Sequence, residues 1–257
     1  MPFEKVQAEK LSLAVVRQIE LLILRGVLRP GDRLPAERDL AEKLGVSRPS
    51  LREALGQLRQ ASLLETRAGS GVYVADVLGS AFSPALVQLF ASHDEAVFDA
   101  LTFRRDMEGL AAERAARFGS DADLQVIDTI FARMERASNG RAKPGEGARL
   151  DAEFHMAIVE AGHNVVMLHM MRSMYDLLRE GVFYNRQVMF LQKFTRADLL
   201  DQHRAINEAL MARDPGLARK AVEAHLDYIT DALRDQIKAR HNEEVARQRL
   251  ALEETRG

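Results

Sequence analysis

Three features of the chain predict its fold class. Residues 34–74 read as a short helix, a tight turn, a second helix and a glycine-tipped hairpin. From residue 84 onward strand signals vanish and apolar residues recur at helical spacing. Between the two stretches, residues 76–83 carry neither pattern. The prediction is a mainly α protein: an N-terminal winged helix-turn-helix over 1–75, a linker over 76–83, a C-terminal all-α bundle of six or seven helices over 84–245, and a charged tail over 246–257.

In the first domain, Pro35 suits a first helical turn, where its missing N–H costs nothing. Leu40, Ala41 and Leu44 give that helix its buried face. Gly45 can take the left-handed conformation that ends it, and Val46 can plug the turn. Ser47 is placed to cap the second helix, with Pro49 just inside. Leu51, Ala54, Leu55 and Leu58 point inward there, which leaves Arg48, Ser50, Arg52 and Arg59 facing out. Leu63, Leu64 and Thr66 lead to a turn at Ala68-Gly69-Ser70-Gly71, and Val72-Tyr73-Val74 returns.

Such a unit places one helix in the major groove, so operator DNA is the expected partner. Arg48 and Arg52 lie four apart on one face, and a guanidinium pairs bidentately with O6 and N7 of guanine. Arg38, at the start of the preceding helix, suits a phosphate. Ser47, Arg48, Ser50 and Arg52, with Gly69 and Gly71 at the hairpin tip, complete the candidate DNA-binding set. The bland alternative is a solvated arginine face on a helix that touches no nucleic acid.

The sequence has no cysteine, which rules out disulfides and thiolate metal sites. Its start, MPFEKVQAEKLSLAVV, lacks the apolar core of a signal peptide, and no apolar run is long enough to span a bilayer. A cytoplasmic protein with no membrane partner is expected. Residues 1–75 carry 12 Lys and Arg against 9 Asp and Glu, whereas 76–257 carry 24 against 29. A mildly basic reader on an acidic body fits DNA binding at one end, through a few placed arginines rather than bulk charge.

In the second domain the periodicity predicts helices near 84–92, 94–118, 121–138, 147–162, 164–185, 195–213 and 215–245, with Asp121 and Asn164 at N-cap positions. Residues 235–257 read as a charged, frayed helical extension. Asp151 and His155 are four apart and share a helix face; His203 and His225 lie on two later helices among apolar neighbours. Three histidines and a carboxylate can converge on a divalent cation, with Zn²⁺, Ni²⁺, Mn²⁺ and Fe²⁺ all chemically open. Spacing alone is weak support, because the chain has seven histidines and a lone histidine on such a face is more often packing. His163 reads as part of a turn and His169 as packing.

The run LPAERDLAEKLGVSRPSLREAL at 34–55 resembles the signature of GntR-type bacterial regulators, and residues 19–34 match the lead-in. The resemblance implies that Arg38, Arg48 and Arg52 contact DNA and that Gly69 and Gly71 carry the wing tip into the minor groove. The bundle resembles the effector domain of the FadR-type branch, in the subset that carries a metal. DAEFH at 151–155, DQHRAI at 201–206 and EAHLDYI at 223–229 match its Asp-x₃-His pair and two later histidines. Asp151, His155, His203 and His225 are thereby implied as metal ligands, with zinc the first expectation and nickel or manganese next. Acyl-CoA-binding members of the branch lack these ligands, so their ligand is not carried over.

The resemblance also turns Arg104, in FRRDMEGLAAERAA at 103–116, toward the effector. The alternative is that Arg104 or Arg105 pairs with Glu108 along its own helix. Within the branch the chain is most similar to lactate-responsive and pyruvate-dehydrogenase-complex regulators, through RPSLREAL, MEGLAAERAA, VEAGHNVVMLHMMRSM and the stretch from Arg186 to Met189. FHMAI at 154–158 leans toward the lactate type. The expected function is a homodimeric repressor that reads a palindromic operator and senses a small hydroxy- or keto-carboxylate. A metal-dependent hydrolase on the same His/Asp site is the first competitor, although Glu153 falls on another helix face and no general base is evident. A DNA-binding structural protein with a bundle for dimerisation alone is the second.

Overall fold

Val15, Ile19 and Ile23 recur at helical spacing on α1 (Leu11–Leu24), and that stripe is the floor of the first unit's core. The computed structural model describes residues 10–76, 83–139, 145–177 and 196–255. The chain divides into two compact units between residues 79 and 80.

In the first unit, α2 (Glu37–Leu44) and α3 (Arg48–Gln60) form the helix-turn-helix. The turn is built as the residues predict. Gly45 sits at φ 65°, a left-handed conformation that other residues adopt at a cost. Val46 N–H donates to the Ala41 carbonyl at 3.0 Å, and Ser47 Oγ accepts from Ser50 N–H at 3.3 Å. Leu51, Ala54, Leu55 and Leu58 pack against the α1 stripe and against Leu34, Ala41, Leu64 and Val74. β1 (Leu64–Arg67) and β2 (Gly71–Val74) pair antiparallel, with Leu64 opposite Val74 and Arg67 opposite Gly71. Residues 31–34 run beside β2 as well: Leu34 N–H donates to Val72 O and Gly31 N–H to Val74 O, each at 2.9 Å. This third line carries no strand signal because Gly31 and Asp32 are poor strand formers; backbone hydrogen bonds and the buried Leu34 hold it.

The second unit contains, among the described residues, seven helices: α4 (Pro84–Ser92), α5 (Asp94–Phe118), α6 (Asp121–Asn139), α7 (Glu146–Ala161), α8 (Val165–Leu177), α9 (Arg196–Met211) and α10 (Pro215–Glu254). Ala111, Ala112, Ala115 and Ala116 are fully buried on α5. Small side chains there let α7 and α10 pack closely on both its flanks. Phe154, Ile127, Ile206, Leu210, Val222 and Leu226 fill the centre where α6, α7, α9 and α10 meet.

Two expectations need correction. Asp121 does not cap α6; Ser120 does, with its Oγ accepting from Asp123 N–H at 3.2 Å while Asp123 Oδ2 accepts from Ser120 N–H at 2.8 Å. That reciprocal pair is a capping box built on Asp123, and it sets the start one residue earlier. The last helix ends at Glu254 rather than near 245; the charged extension is helical, as read. Its final turns rest on strong helix formers and on pairs such as Arg247–Glu243 rather than on burial. Asn164 does cap α8, accepting from Val166 and Met167 N–H at 3.1 Å each. His163, before it, stands at φ 48° and its Nε2 lies 2.9 Å from Asp123 Oδ2. The stretch from Arg186 to Met189 lies outside the described residues. Among the described residues, no helix is long and apolar enough to cross a membrane.

Candidate metal centre and nucleic-acid interface

The burial of Leu51, Ala54, Leu55 and Leu58 turns the opposite side of α3 to solvent, and Arg48, Arg52 and Arg59 are exposed on it. Arg52 Nε donates to Glu37 Oε2 at 2.8 Å, yet its side chain remains 62% exposed. A solvated pair of this kind contributes about 0–1 kcal/mol, so a base edge can replace it. Arg38, at the start of α2, meets its neighbour Asp39 at 3.3 Å. Ser47 is occupied as the α3 cap, and its Oγ lies 2.9 Å from that of Ser50. Gly69 and Gly71 take φ of 69° and 119° at the hairpin tip. At Gly71 a Cβ would also stand 3.2 Å from Arg33 Nε, so the protein itself gives a reason for glycine there.

In the second unit, one ligand atom from each of Asp151, His155, His203 and His225 lies within 4.8 Å of the others. Helix geometry explains the convergence. Asp151 and His155 are one turn apart on α7, and α9 and α10 pack so that His203 and His225 face them. All three histidines are buried; Asp151 is the partly open member, with its side chain 43% exposed.

The orientation of each imidazole shows what the cluster can do. His203 Nδ1 lies 2.7 Å from the Leu199 carbonyl, which can only accept, so Nδ1 carries the proton. His225 Nδ1 is 2.8 Å from Gln202 Oε1, and His155 Nδ1 is 2.8 Å from Glu108 Oε2. The last contact is close but poorly aligned as a hydrogen bond. All three Nδ1 atoms therefore face acceptors, and the Nε2 lone pairs point inward. His203 and His155 Nε2 stand 3.3 Å apart, Asp151 Oδ1 is 3.0 Å from His203 Nε2 and 3.9 Å from His155 Nε2, and His225 Nε2 is buried with no partner. Lone pairs crowded in this way repel unless a cation lies among them. Metal–ligand bonds of about 2.0–2.1 Å place neighbouring donors about 3.0–3.4 Å apart; the His203 contacts stand at that spacing and the other ligand atoms lie within 4.8 Å, so the four could close on a divalent ion.

The electrostatics agree. Burial and the neighbouring imidazoles push His225 well below the ordinary imidazole range, which keeps it a neutral donor. Desolvation raises the Asp151 carboxyl, but His203 close beside it, with His155 and His225, outweighs that and holds it low. Burial likewise raises Glu108, and Arg104 and His155 overcome it, pulling the group down to about 2.

The pairing of Arg104 with Glu108, raised as the alternative from sequence, is what the structure contains. Arg104 Nε donates to Glu108 Oε1 at 2.7 Å, whereas Arg105 turns away to Asp227. Arg104 is nevertheless only 4% exposed, and its charge is felt at both Asp151 and His225. Its Nη2 donates to Tyr175 Oη at 3.2 Å, and Tyr175 Oη donates to Glu108 Oε1 at 3.0 Å. Glu108, Tyr175 and Gln202 were not among the expected site residues. Glu108 had a local signal, at i+4 from Arg104. Gln202 and Tyr175 had none, since both meet the site across helix boundaries.

Known proteins carry the same two parts. Residues 11–74 match the pattern of bacterial regulatory proteins of the gntR family, and residues 99–228 match the FCD domain. The chain is 35% identical over 242 residues to a putative L-lactate dehydrogenase operon regulatory protein of Escherichia coli, covering 92% of each chain. It is 35% identical over 223 residues to the Glc operon transcriptional activator of the same organism, covering 86% of this chain and 88% of that one. Among solved structures, Streptococcus agalactiae GntR superposes with a TM-score of 0.52 at 24% identity, over 86% of this chain and 99% of that one, which supports the fold. These relatives regulate transcription and are not enzymes, and nothing among them supports the hydrolase reading. Glu153, the nearest spare carboxylate by sequence, is tied to Arg149 and Arg133.

Two outcomes follow from this geometry. Protein purified without chelator or affinity tag should hold close to one divalent ion per chain by elemental analysis. Stripping it should lower the melting temperature of the second unit, because the ion ties α7, α9 and α10 together. Below about 0.2 equivalents, with no uptake of Zn²⁺, Ni²⁺ or Mn²⁺, the cluster is not a metal site. On the DNA side, Arg48→Ala and Arg52→Ala should each cost about 1–3 kcal/mol in operator binding with unchanged far-UV circular dichroism. Affinities within about twofold of wild type in both would remove α3 from the DNA face.

Proposed function

This chain belongs to the gntR family of bacterial regulatory proteins, with an FCD domain in its second unit, and we propose that it senses a small 2-hydroxy or 2-keto carboxylate through the metal cluster. It is a DNA-binding transcription regulator. The reading rests on one observation above all: three inward Nε2 atoms and Asp151 are linked through Glu108 to the buried guanidinium of Arg104.

Asp151, His155, His203 and His225 would hold the ion, which supplies Lewis acidity toward oxygen ligands. Zinc is the first candidate, with nickel and manganese next. An acid with an oxygen on C2 offers two neighbouring oxygens to one cation, closing a five-membered ring. Its outer carboxylate oxygen is then free for a guanidinium. Two Arg104 nitrogens are engaged by Glu108 and Tyr175, and the third donates to nothing else among the described residues. Lactate stands first, pyruvate second and glycolate third; the relative named for an L-lactate dehydrogenase operon supports lactate as a candidate.

One α3 covers only a few base pairs, too few to mark a promoter, so two copies of the chain read a two-fold symmetric operator. Effector binding changes operator affinity only by favouring one arrangement of the two readers over the other. The proposed direction is release, the action of a repressor.

Titration of metal-loaded protein on its operator with each acid tests the reading. At least one of the three should weaken DNA binding. His203→Ala and Arg104→Ala should abolish that response while leaving effector-free DNA affinity within about threefold. No calorimetric heat with any of the three acids, together with tight binding of a long-chain acyl-CoA, would overturn the ligand class.

A further inference from the structure

Glu108 is a buried acid that the proposed sensing chemistry does not use. It lies one turn after Arg104 on α5 and is 2% exposed. Its Oε1 accepts from Arg104 Nε at 2.7 Å and from Tyr175 Oη at 3.0 Å, and its Oε2 stands 2.8 Å from His155 Nδ1. One carboxylate thus joins the guanidinium on the effector side to a histidine on the metal side. A simple helix-surface ion pair would need only the first contact. Burial of the whole group among three donors calls for a further role.

The charges of the enclosed cluster point to that role. Metal-bound imidazoles are neutral, and Tyr175 is a neutral donor. A divalent ion brings two positive charges and Arg104 a third; Asp151 and Glu108 remove two. The assembled site keeps one positive charge. Without Glu108 it would keep two. Uncompensated charge is costly in a site this enclosed, so the ligand that binds best is the one that brings the sum to zero. We propose that Glu108 is a specificity-determining residue: it restricts the effector to a single negative charge, and it also holds His155 with Nδ1 protonated and Nε2 free for the ion.

The inference rests on the sensing function proposed above and goes beyond it by assigning ligand charge to one residue. It also explains why an anion-binding arginine is half-neutralised by its own helix. A bare Arg104 would draw in di- and tricarboxylates; Glu108 lowers the field enough that one carboxylate suffices.

Glycolate and tartronate make a matched pair of probes, since tartronate is glycolate with a second carboxylate on C2. Calorimetry on full-length protein saturated with Zn²⁺ should give wild type a preference for glycolate of about tenfold or more. E108Q removes the charge at nearly constant volume and should cut that preference by about tenfold or more. E108D keeps the charge and should keep the preference. A glutamine amide facing His155 would also donate where a carboxylate accepts and favour the wrong tautomer. Zn²⁺ affinity of E108Q should therefore fall about 10–100-fold, as for other lost partners of metal-bound histidines.

Equal wild-type affinities for the two acids, or a ratio in E108Q within about twofold of wild type, would overturn the charge-selecting role. Should E108Q fail to fold, the wild-type ratio and its retention in E108D still decide. Wild-type protein that binds neither acid brings down the proposed effector class and this inference with it. Binding of both acids with an unchanged ratio in E108Q removes Glu108 alone.

Discussion

Three imidazole lone pairs aimed at one buried point repel each other, and the bundle is built so that they must meet there. The Leu199 carbonyl and Gln202 each accept from an Nδ1 and Glu108 stands against the third, which leaves the ring nitrogens on the other side without protons. Folding alone gains nothing from that crowding. The arrangement becomes favourable when a cation neutralises it, and the second unit's stability is thereby coupled to the ion. α7, α9 and α10 carry the four residues, so an ion held there would tie together segments far apart in sequence.

The neighbouring polar groups extend the cluster outward. Arg104, Glu108 and Tyr175 form one hydrogen-bonded set whose far end touches His155. A ligand that engages Arg104 therefore alters a group in contact with a metal-facing histidine. In the first unit the logic is different. Its hydrophobic core fixes α3, and the arginines on the outer face stay solvated, as Arg52 does despite its pair with Glu37. The arginines of α3 are solvent-exposed, whereas the three histidines of the second unit are buried.

What was legible in the sequence follows from local chemistry. Gly45, Ser47 and Pro49 encode the turn and helix start by themselves, and the i, i+4 spacing of Asp151 and His155 places both on one face. The hairpin was readable from its glycines and alternating residues. What was missed depends on packing or on backbone alone. Residues 31–34 pair with β2 without any β-favouring side chains. Gln202 meets His225 from a different helix, a contact no spacing rule contains. Two possible caps stood side by side at Ser120 and Asp121, and only Asp123 decides between them. The length of α10 was underestimated because apolar periodicity fades after Ile237, while propensity and ion pairs carry the helix on to Glu254.

Nitrogen-15 NMR of the histidine side chains, recorded before and after addition of Zn²⁺, tests the central claim most directly. The account predicts that His155, His203 and His225 keep a protonated Nδ1 throughout, and that Zn²⁺ shifts all three Nε2 resonances together at one equivalent. Shifts at the Nδ1 positions, or an unchanged Nε2 set at saturating Zn²⁺, would contradict it.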